Sequence, residues 1–259
     1  MNIAPLTAER LSQIEDAGLN ASAPPQQLWM DGWLVRLSPG KAKRARCVNA
    51  VAPGRLPLAD KLARAAAAFH AAGLPLIVRI TPYSQPAGID DALAARGLQR
   101  FDDTLVLAAD LAAMDLGAML PADTRFEPVS GADYAAVVGA LRASPPEQQR
   151  AHAERLAASP VPYRGWVLRR QGELLACGQY AREAALVGLY DIHTAAAARN
   201  QGLSRALCAA LLRQAAAEGA RTAYLQVDGD NAAALAVYRR LGFGPGYGYH
   251  YRAVDPALA

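Results

Sequence analysis

The sequence predicts a mixed α/β (α+β) fold built in two parts. Alanine-rich segments with helical spacing are closed by single glycines, and short apolar runs with strand character stand between them. An irregular stretch at Asp110–Pro121 divides the chain into residues 1–120 and 121–259. With 259 residues and 53% hydrophobic content there is material for one large core or two small ones.

Taken in order, Leu6 to Gly18 reads as a helix capped by Thr7, and Pro24-Pro25 breaks the pattern. Strand-like runs follow at Trp29–Leu37 and Arg46–Val51, separated by the Ser38-Pro39-Gly40 turn and a basic cluster. A helix over Leu58–Ala72 ends at Gly73; the apolar run Leu76–Ile80, a short helix Ile89–Arg96 and a strand Thr104–Ala108 complete the first part. The second part opens with a strand at Arg125–Val129, a helix at Ala132–Arg142 and another helix after Pro145-Pro146. Trp166–Arg170 and Leu174–Tyr180 form a hairpin, and Leu186–His193 adds a third strand. The helix Leu203–Ala217 stops at Gly219, the strand Ala223–Val227 follows, the helix Ala232–Leu241 stops at Gly242, and Tyr247–Val254 is the last strand. Leu62–Leu98 can be laid against Leu207–Phe243, which suggests a duplication with a shortened first copy.

Composition excludes several classes. Only Lys41, Lys43 and Lys61 are lysines among the 27 basic residues, a bias typical of a GC-rich bacterial genome rather than of a function. Cys47, Cys177 and Cys208 are odd in number and lack metal-ligand or C-x-x-C spacing, so reduced thiols in a cytoplasmic protein are expected. His70, His152 and His250 also lack ligand spacing, and no metal site is expected. No apolar run approaches the roughly 18 residues that span a bilayer, and no leader pattern opens the chain. The cluster Lys41-Ala42-Lys43-Arg44-Ala45-Arg46 could meet phosphate or nucleic acid; without aromatic or glycine-rich surroundings it reads better as a solvated basic loop.

The chemistry concentrates in the second part. Tyr190-Asp191-Ile192-His193-Thr194 is followed by Arg199-Asn200-Gln201-Gly202-Leu203-Ser204 and a long helix. In such a strand-turn-helix the unpaired amides of the first helical turn and the positive end of the helix dipole favour a phosphate or pyrophosphate. After the next strand comes Asn231-x-x-Ala234-x-x-x-Tyr238-x-x-Leu241-Gly242-Phe243. Together these two patterns resemble the acetyl-CoA-binding core of the GCN5-related N-acetyltransferase (GNAT) superfamily, over roughly the last half of the chain.

That resemblance implies an acyl-CoA N-acyltransferase fold, with a mixed and partly splayed sheet, preceded by a smaller half of the same kind. It implies acetyl transfer from acetyl-CoA to a primary amine, of a small molecule or a protein N-terminus, by direct attack in a ternary complex. Arg199, Asn200, Gln201, Gly202, Leu203 and Ser204 would cradle the CoA pyrophosphate, and Ile192, His193 and Thr194 would hydrogen-bond the pantetheine arm through their backbone. Asn231 would lie at the cofactor, and Tyr238 would protonate the departing thiolate. A phenol with an ordinary pKa near 10 is protonated at neutral pH and suited to that role. Tyr190 and Asp191 are alternative general bases, on opposite faces if the strand alternates strictly, and an amine bound neutral would need none.

Three departures stand out. Ser204 and His193 occupy places where the superfamily has smaller or aliphatic residues, and one strand follows Phe243 where two are usual, so a strand of the first half is expected to supply the missing edge. Lacking the loop pattern and a counterpart of Tyr238, residues 1–120 are expected to be non-catalytic, with Asp31-Gly32-Trp33 and Arg36 available to line an acceptor pocket. Rival readings are a non-catalytic acyl-CoA-binding module and an aminoacyl-tRNA-dependent transferase of related fold.

Overall fold

A computed structural model describes residues 6–259. Helix α1 (Ala8–Ala21) is capped as expected by Thr7, whose hydroxyl accepts the Arg10 amide. It is followed by β1 (Gln27–Met30), β2 (Trp33–Arg36), β3 (Val48–Ala50), α2 (Leu58–Ala71), β4 (Val78–Ile80), α3 (Ile89–Ala94) and β5 (Gln99–Asp110). The second part holds β6 (Arg125–Val129), α4 (Gly131–Leu141), α5 (Pro146–Ala158), β7 (Tyr163–Arg170), β8 (Glu173–Glu183) and β9 (Leu186–Thr194). It ends with α6 (Leu203–Ala217), β10 (Thr222–Asp228), α7 (Ala232–Leu241) and β11 (Gly244–Ala253). Among the described residues, no helix is long and apolar enough to cross a membrane.

Two expectations for the first part need correction. Trp29–Leu37 is a hairpin, because Asp31 and Gly32 both take positive φ, 45° and 84°, the backbone of a tight turn. A Cβ at Gly32 would stand 2.5 Å from the Ala52 carbonyl oxygen, so only glycine fits. The basic cluster is not a solvated loop. Lys43 pairs with Asp102 at 2.9 Å and lies over the Phe101 ring, while Arg44 donates to the Tyr249 hydroxyl and faces the Tyr190 ring. Aromatic rings and one carboxylate absorb these charges, and Lys41 stays exposed.

All eleven strands form one sheet in the order β1-β2-β3-β4-β11-β5-β10-β9-β8-β7-β6. Outward from the central β11–β5 pair, both sides run through the same succession of antiparallel and parallel neighbours, with β6 as an added edge. The two parallel pairs, β3–β4 and β9–β10, are bridged by α2 and α6. The internal echo in the sequence therefore matches α2-β4-α3-β5 with α6-β10-α7-β11. Each final strand crosses over: β5 lies between β10 and β11, and β11 lies between β5 and β4. The strand missing from the second half is β5.

Alternation along β5 divides the layers. Leu107 and Ala109 pack with α6 and α7, whereas Val106 and Ala108 pack with α1. On β11, Tyr249 and Tyr251 join the α1 side, and His250 and Arg252 reach Asp90 of α3 on the other. Helices α2, α3, α6 and α7 thus cover one face and α1, α4 and α5 the opposite one.

A buried ion pair fastens α1 to the junction of the halves. Glu15 accepts from Arg79 Nη2 at 3.0 Å and from the Tyr247 hydroxyl at 2.6 Å, joining α1, β4 and β11. Burial alone would raise the Glu15 pKa, but Arg79 and Tyr247 outweigh it and hold the carboxyl below its usual range. The stabilisation is full above the unfolded value of about 4.3 and fades as pH falls through the lower folded value. Glu15→Gln should cost roughly 3–5 kcal/mol, because it strands Arg79 without a counter-charge. Urea unfolding at pH 7 would measure this, and a loss under about 1 kcal/mol would show that Arg79 is compensated elsewhere.

Candidate active site

Strands β9 and β10 pair only from Leu186–Thr222 to Leu189–Leu225, although β9 continues to Thr194 and β10 to Asp228. Beyond that point the sheet opens, leaving backbone donors and acceptors of Tyr190–Thr194 without a partner on β10. The divergence coincides with a β-bulge: Asp191 takes φ of 51°, and the β8–β9 register slips between Cys177 and Gln179. The bulge overturns strict alternation. Tyr190 packs in the α1-side cluster and Asp191 turns to α4 and α5 on that same face, while Leu189 and Ile192 both face α6. His193 is half-buried near the end of α4, where burial and the charges of Arg142 and Arg199 lower its pKa.

At the mouth of the gap stands the N-terminus of α6. Arg199, Asn200, Gln201 and Gly202 are exposed, and no side chain caps the helix. Its first intrahelical bond runs from the Ala206 amide to the Gly202 carbonyl at 3.1 Å, so the amides of Leu203, Ser204 and Arg205 have no acceptor within the helix. Gly202 has φ of 74°, and a Cβ placed there would meet no atom within 4 Å. Open space beside free amides at a positive helix end suits a phosphate group, so the residues present fit a pyrophosphate-bearing cofactor. Leu203 contributes only its backbone, since its side chain is buried in the core. Ser204 is half-buried against the Cys208 thiol, a packed group that burial pushes up to about 12.

Tyr238 projects from α7 into the cluster beneath this helix, its ring at an edge-to-face angle to Phe243. Burial, with the Cys208 thiol adding to it, raises its pKa, so the phenol stays protonated across the physiological range. Among the described residues its hydroxyl has no hydrogen-bond partner. Asn231 acts locally, its Oδ1 accepting the Ala234 amide at 3.0 Å as the N-cap of α7.

The two candidate bases sit in surroundings that disfavour proton abstraction. The Tyr190 hydroxyl lies 2.9 Å from that of Tyr224 in a buried aromatic cluster, and burial raises its pKa well above the ordinary value. Asp191 accepts from Arg142 Nη1 at 2.8 Å and from Gln179 Nε2 at 2.7 Å, with His152 Nε2 3.3 Å away. Burial would raise its pKa, but His152 close beside it and the charges of Arg142 and Arg155 hold it well below the carboxylate range. A carboxylate so stabilised is a weak base and a good anchor. Sequence reasoning did not connect Arg142, His152 and Gln179, nor the nearby charge of Arg155, with Asp191. The available signal was the i, i+3 placement of His152 and Arg155 on one face of α5.

The corresponding loop of the first half is closed. Between β3 and α2 the amides of Arg55 and Leu56 donate to the Asp31 carboxylate at 2.8–2.9 Å, and Lys61 Nζ ties the Asp31 and Pro53 carbonyl oxygens at 2.7 and 2.9 Å. Those amide bonds lower the Asp31 pKa. Trp33 is fully buried against Lys61, and Arg36 is buried with Nη2 on the Leu19 carbonyl. None of these residues lines the cavity that Asp191 faces, so the acceptor-pocket role expected for Asp31-Gly32-Trp33 and Arg36 is not supported.

Comparison with known proteins agrees with this geometry. Residues 134–243 match the model of the acetyltransferase (GNAT) family. An uncharacterized N-acetyltransferase of Bacillus subtilis, YobR, is 26% identical over 224 residues, covering 85% of this chain and 89% of that protein. A GCN5-related N-acetyltransferase from Kribbella flavida shares the fold with a TM-score of 0.69 at 21% identity, over 98% of this chain and 97% of that one. A tandem GNAT protein from the clavulanic acid biosynthesis pathway does so with a TM-score of 0.64 at 18% identity, over 98% of each chain. The opened β9–β10 pair and the uncapped α6 helix thus lie within the segment that matches the acetyltransferase (GNAT) family model, in a fold shared along nearly the whole chain with a tandem GNAT protein.

Proposed function

We propose that the protein is an acetyl-CoA-dependent N-acetyltransferase acting on a primary amine, with residues 121–259 catalytic and residues 1–120 non-catalytic. The observation that carries this reading is the coincidence of the β9–β10 gap, the free α6 amides and a protonated Tyr238 within the family-matched segment. Acetyl-CoA supplies an activated acetyl group as its thioester. Arg199 to Ser204 hold the pyrophosphate through backbone amides and the Arg199 charge. The unpaired backbone of Ile192, His193 and Thr194 aligns the arm along β9. Tyr238 delivers its phenolic proton to the leaving sulfur. Asp191 positions charge at the acceptor side while water or solvent-borne base takes the amine proton. The cluster at Lys41–Arg46, with Lys43 and Arg44 bound inward, offers little to a tRNA.

Affinity should reside at Gly202, and the test must separate charge from strain, since any replacement meets a positive φ there. Asparagine and aspartate are isosteric and both tolerate that backbone. Gly202→Asp should therefore bind acetyl-CoA at least roughly tenfold more weakly than Gly202→Asn, through repulsion of the pyrophosphate. Calorimetry gives both constants, and equal affinities in the two variants would remove the cofactor from this helix. The same titration should saturate at one acetyl-CoA per chain, given the Asp31 carboxylate on the first-half loop.

Tyr238→Phe keeps the packed ring and removes the proton. Its single-turnover rate should drop by roughly 10²–10⁴-fold, with little change in acetyl-CoA affinity. A rate equal to wild type in single-turnover acetylation would make the tyrosine structural. Thiol release against a broad amine panel tests the reading as a whole; binding without release from any amine would favour the non-catalytic module.

A further inference from the structure

The cavity beside Asp191 carries chemistry that the transfer reaction does not require. It lies between α4, α5 and the loop after β2, and Asp191, two residues beyond the last β9–β10 pair at Leu189, forms part of its wall. Its volume is about 60 Å³, room for about four waters. Lys41, Arg142 and Arg155 line it against one carboxylate, Asp191.

These cations are not equivalent. Arg142 is neutralised by Asp191 at 2.8 Å. Arg155 is only 8% exposed and makes no ion pair among the described residues. Its Nη1 donates to the Ala21 carbonyl at 3.3 Å and to the Tyr163 hydroxyl at 3.4 Å, and both acceptors are uncharged. Nε and Nη2 have no protein acceptor among the described residues. Asp191 acts on Arg155 through space without an ion-pair contact, so two adjacent guanidinium donors at the cavity wall keep no protein acceptor among the described residues, and they match a carboxylate in a bidentate fork. Exposed Lys41 adds a second positive charge at the same cavity.

We infer that the acceptor is an amine that carries its own carboxylate, of free amino-acid size, docked by that carboxylate on Arg155. The inference rests on the transferase reading and narrows it. A purely cationic acceptor such as a polyamine meets uncompensated positive charge here and is disfavoured. The small cavity admits the amino and carboxylate groups together and leaves a larger side chain to the open side.

Binding is the primary test, because it does not depend on turnover. The full-length protein, saturated with CoA, is titrated by thermal shift and calorimetry with the free L-amino acids, their primary amides, phosphoethanolamine and putrescine. At least one free amino acid should bind at least tenfold more tightly than its amide and than putrescine, and Arg155→Gln should erase that preference. Arg155→Gln also removes a contact to Ala21, so the acid-to-amide ratio in the wild-type protein stands as an independent measure should that variant fold poorly. Equal binding of acids and amides, tighter binding of putrescine, or preference for phosphoethanolamine over every amino acid would overturn the inference. Acetyl transfer is then assayed with the same compounds. Release of thiol with putrescine but with no amino acid would overturn the inference and leave the transferase reading standing. Carboxylate-selective binding with no transfer to any amine would retain the Arg155 site and overturn the transferase reading instead.

Discussion

The reciprocal exchange of β5 and β11 is the constraint on which the site depends. Strand β10 releases β9 after Leu225, and a strand freed on one edge would ordinarily fray. It does not need to, because β5 holds it along its full length, from Thr222–Asp110 to Asp228–Thr104. The gap is therefore framed on one side by β10, which is backed along its length by a strand from the other half of the chain. The same exchange places β11 against β4, whose Arg79 anchors α1 through Glu15. The two halves share one sheet, and the geometry of the gap is a property of both.

Much of this was legible in the sequence where local signals were strong. Helices α6 and α7 fall where expected because glycines at 219 and 242 stop them, and Thr7 caps α1 as its position suggests. The loop from Arg199 to Ser204 was recognisable for the same reason, since a glycine before a long helix is a local signal. The hairpin at Asp31-Gly32 was also written there, as an Asp-Gly pair between apolar runs, but the run of strand formers around it masked the turn.

What escaped sequence reasoning is tertiary. Nothing at Asp191 announces a bulge, because the positive φ falls on an aspartate rather than a glycine and is stabilised by Arg142, Gln179 and His152 from three other elements. With strict alternation assumed, Tyr190 and Asp191 are assigned to opposite faces; the bulge puts them on one. The same reasoning applies to Arg44. A charge run reads as solvated until the aromatic residues that receive it, Tyr190 and Tyr249, are brought in from positions far along the chain.

The contrast between the two strand-to-helix loops supports the proposal that the first half is non-catalytic while keeping its fold. The first-half loop still presents amide donors before its helix, so the property that attracts a phosphate persists in outline. Those donors are already satisfied by Asp31, a carboxylate delivered by the neighbouring hairpin. A tethered anion loses far less translational freedom than a free one on reaching the same amides, so it competes at a high effective concentration. A Cβ at Gly54 would strike the Asp31 carboxylate at 2.4 Å, which shows how closely loop and hairpin are fitted. At Gly202 the corresponding space is open and the amides are free. The absence of an Arg-x-x-Gly-x-Ser pattern in the first half leads to the expectation of a non-catalytic half, and the geometry adds that amide donors are present there with an acceptor from the chain itself. On the proposed reading, the first-half loop need not collapse to leave the cofactor unbound, since one internal anion stands in the place of an external one.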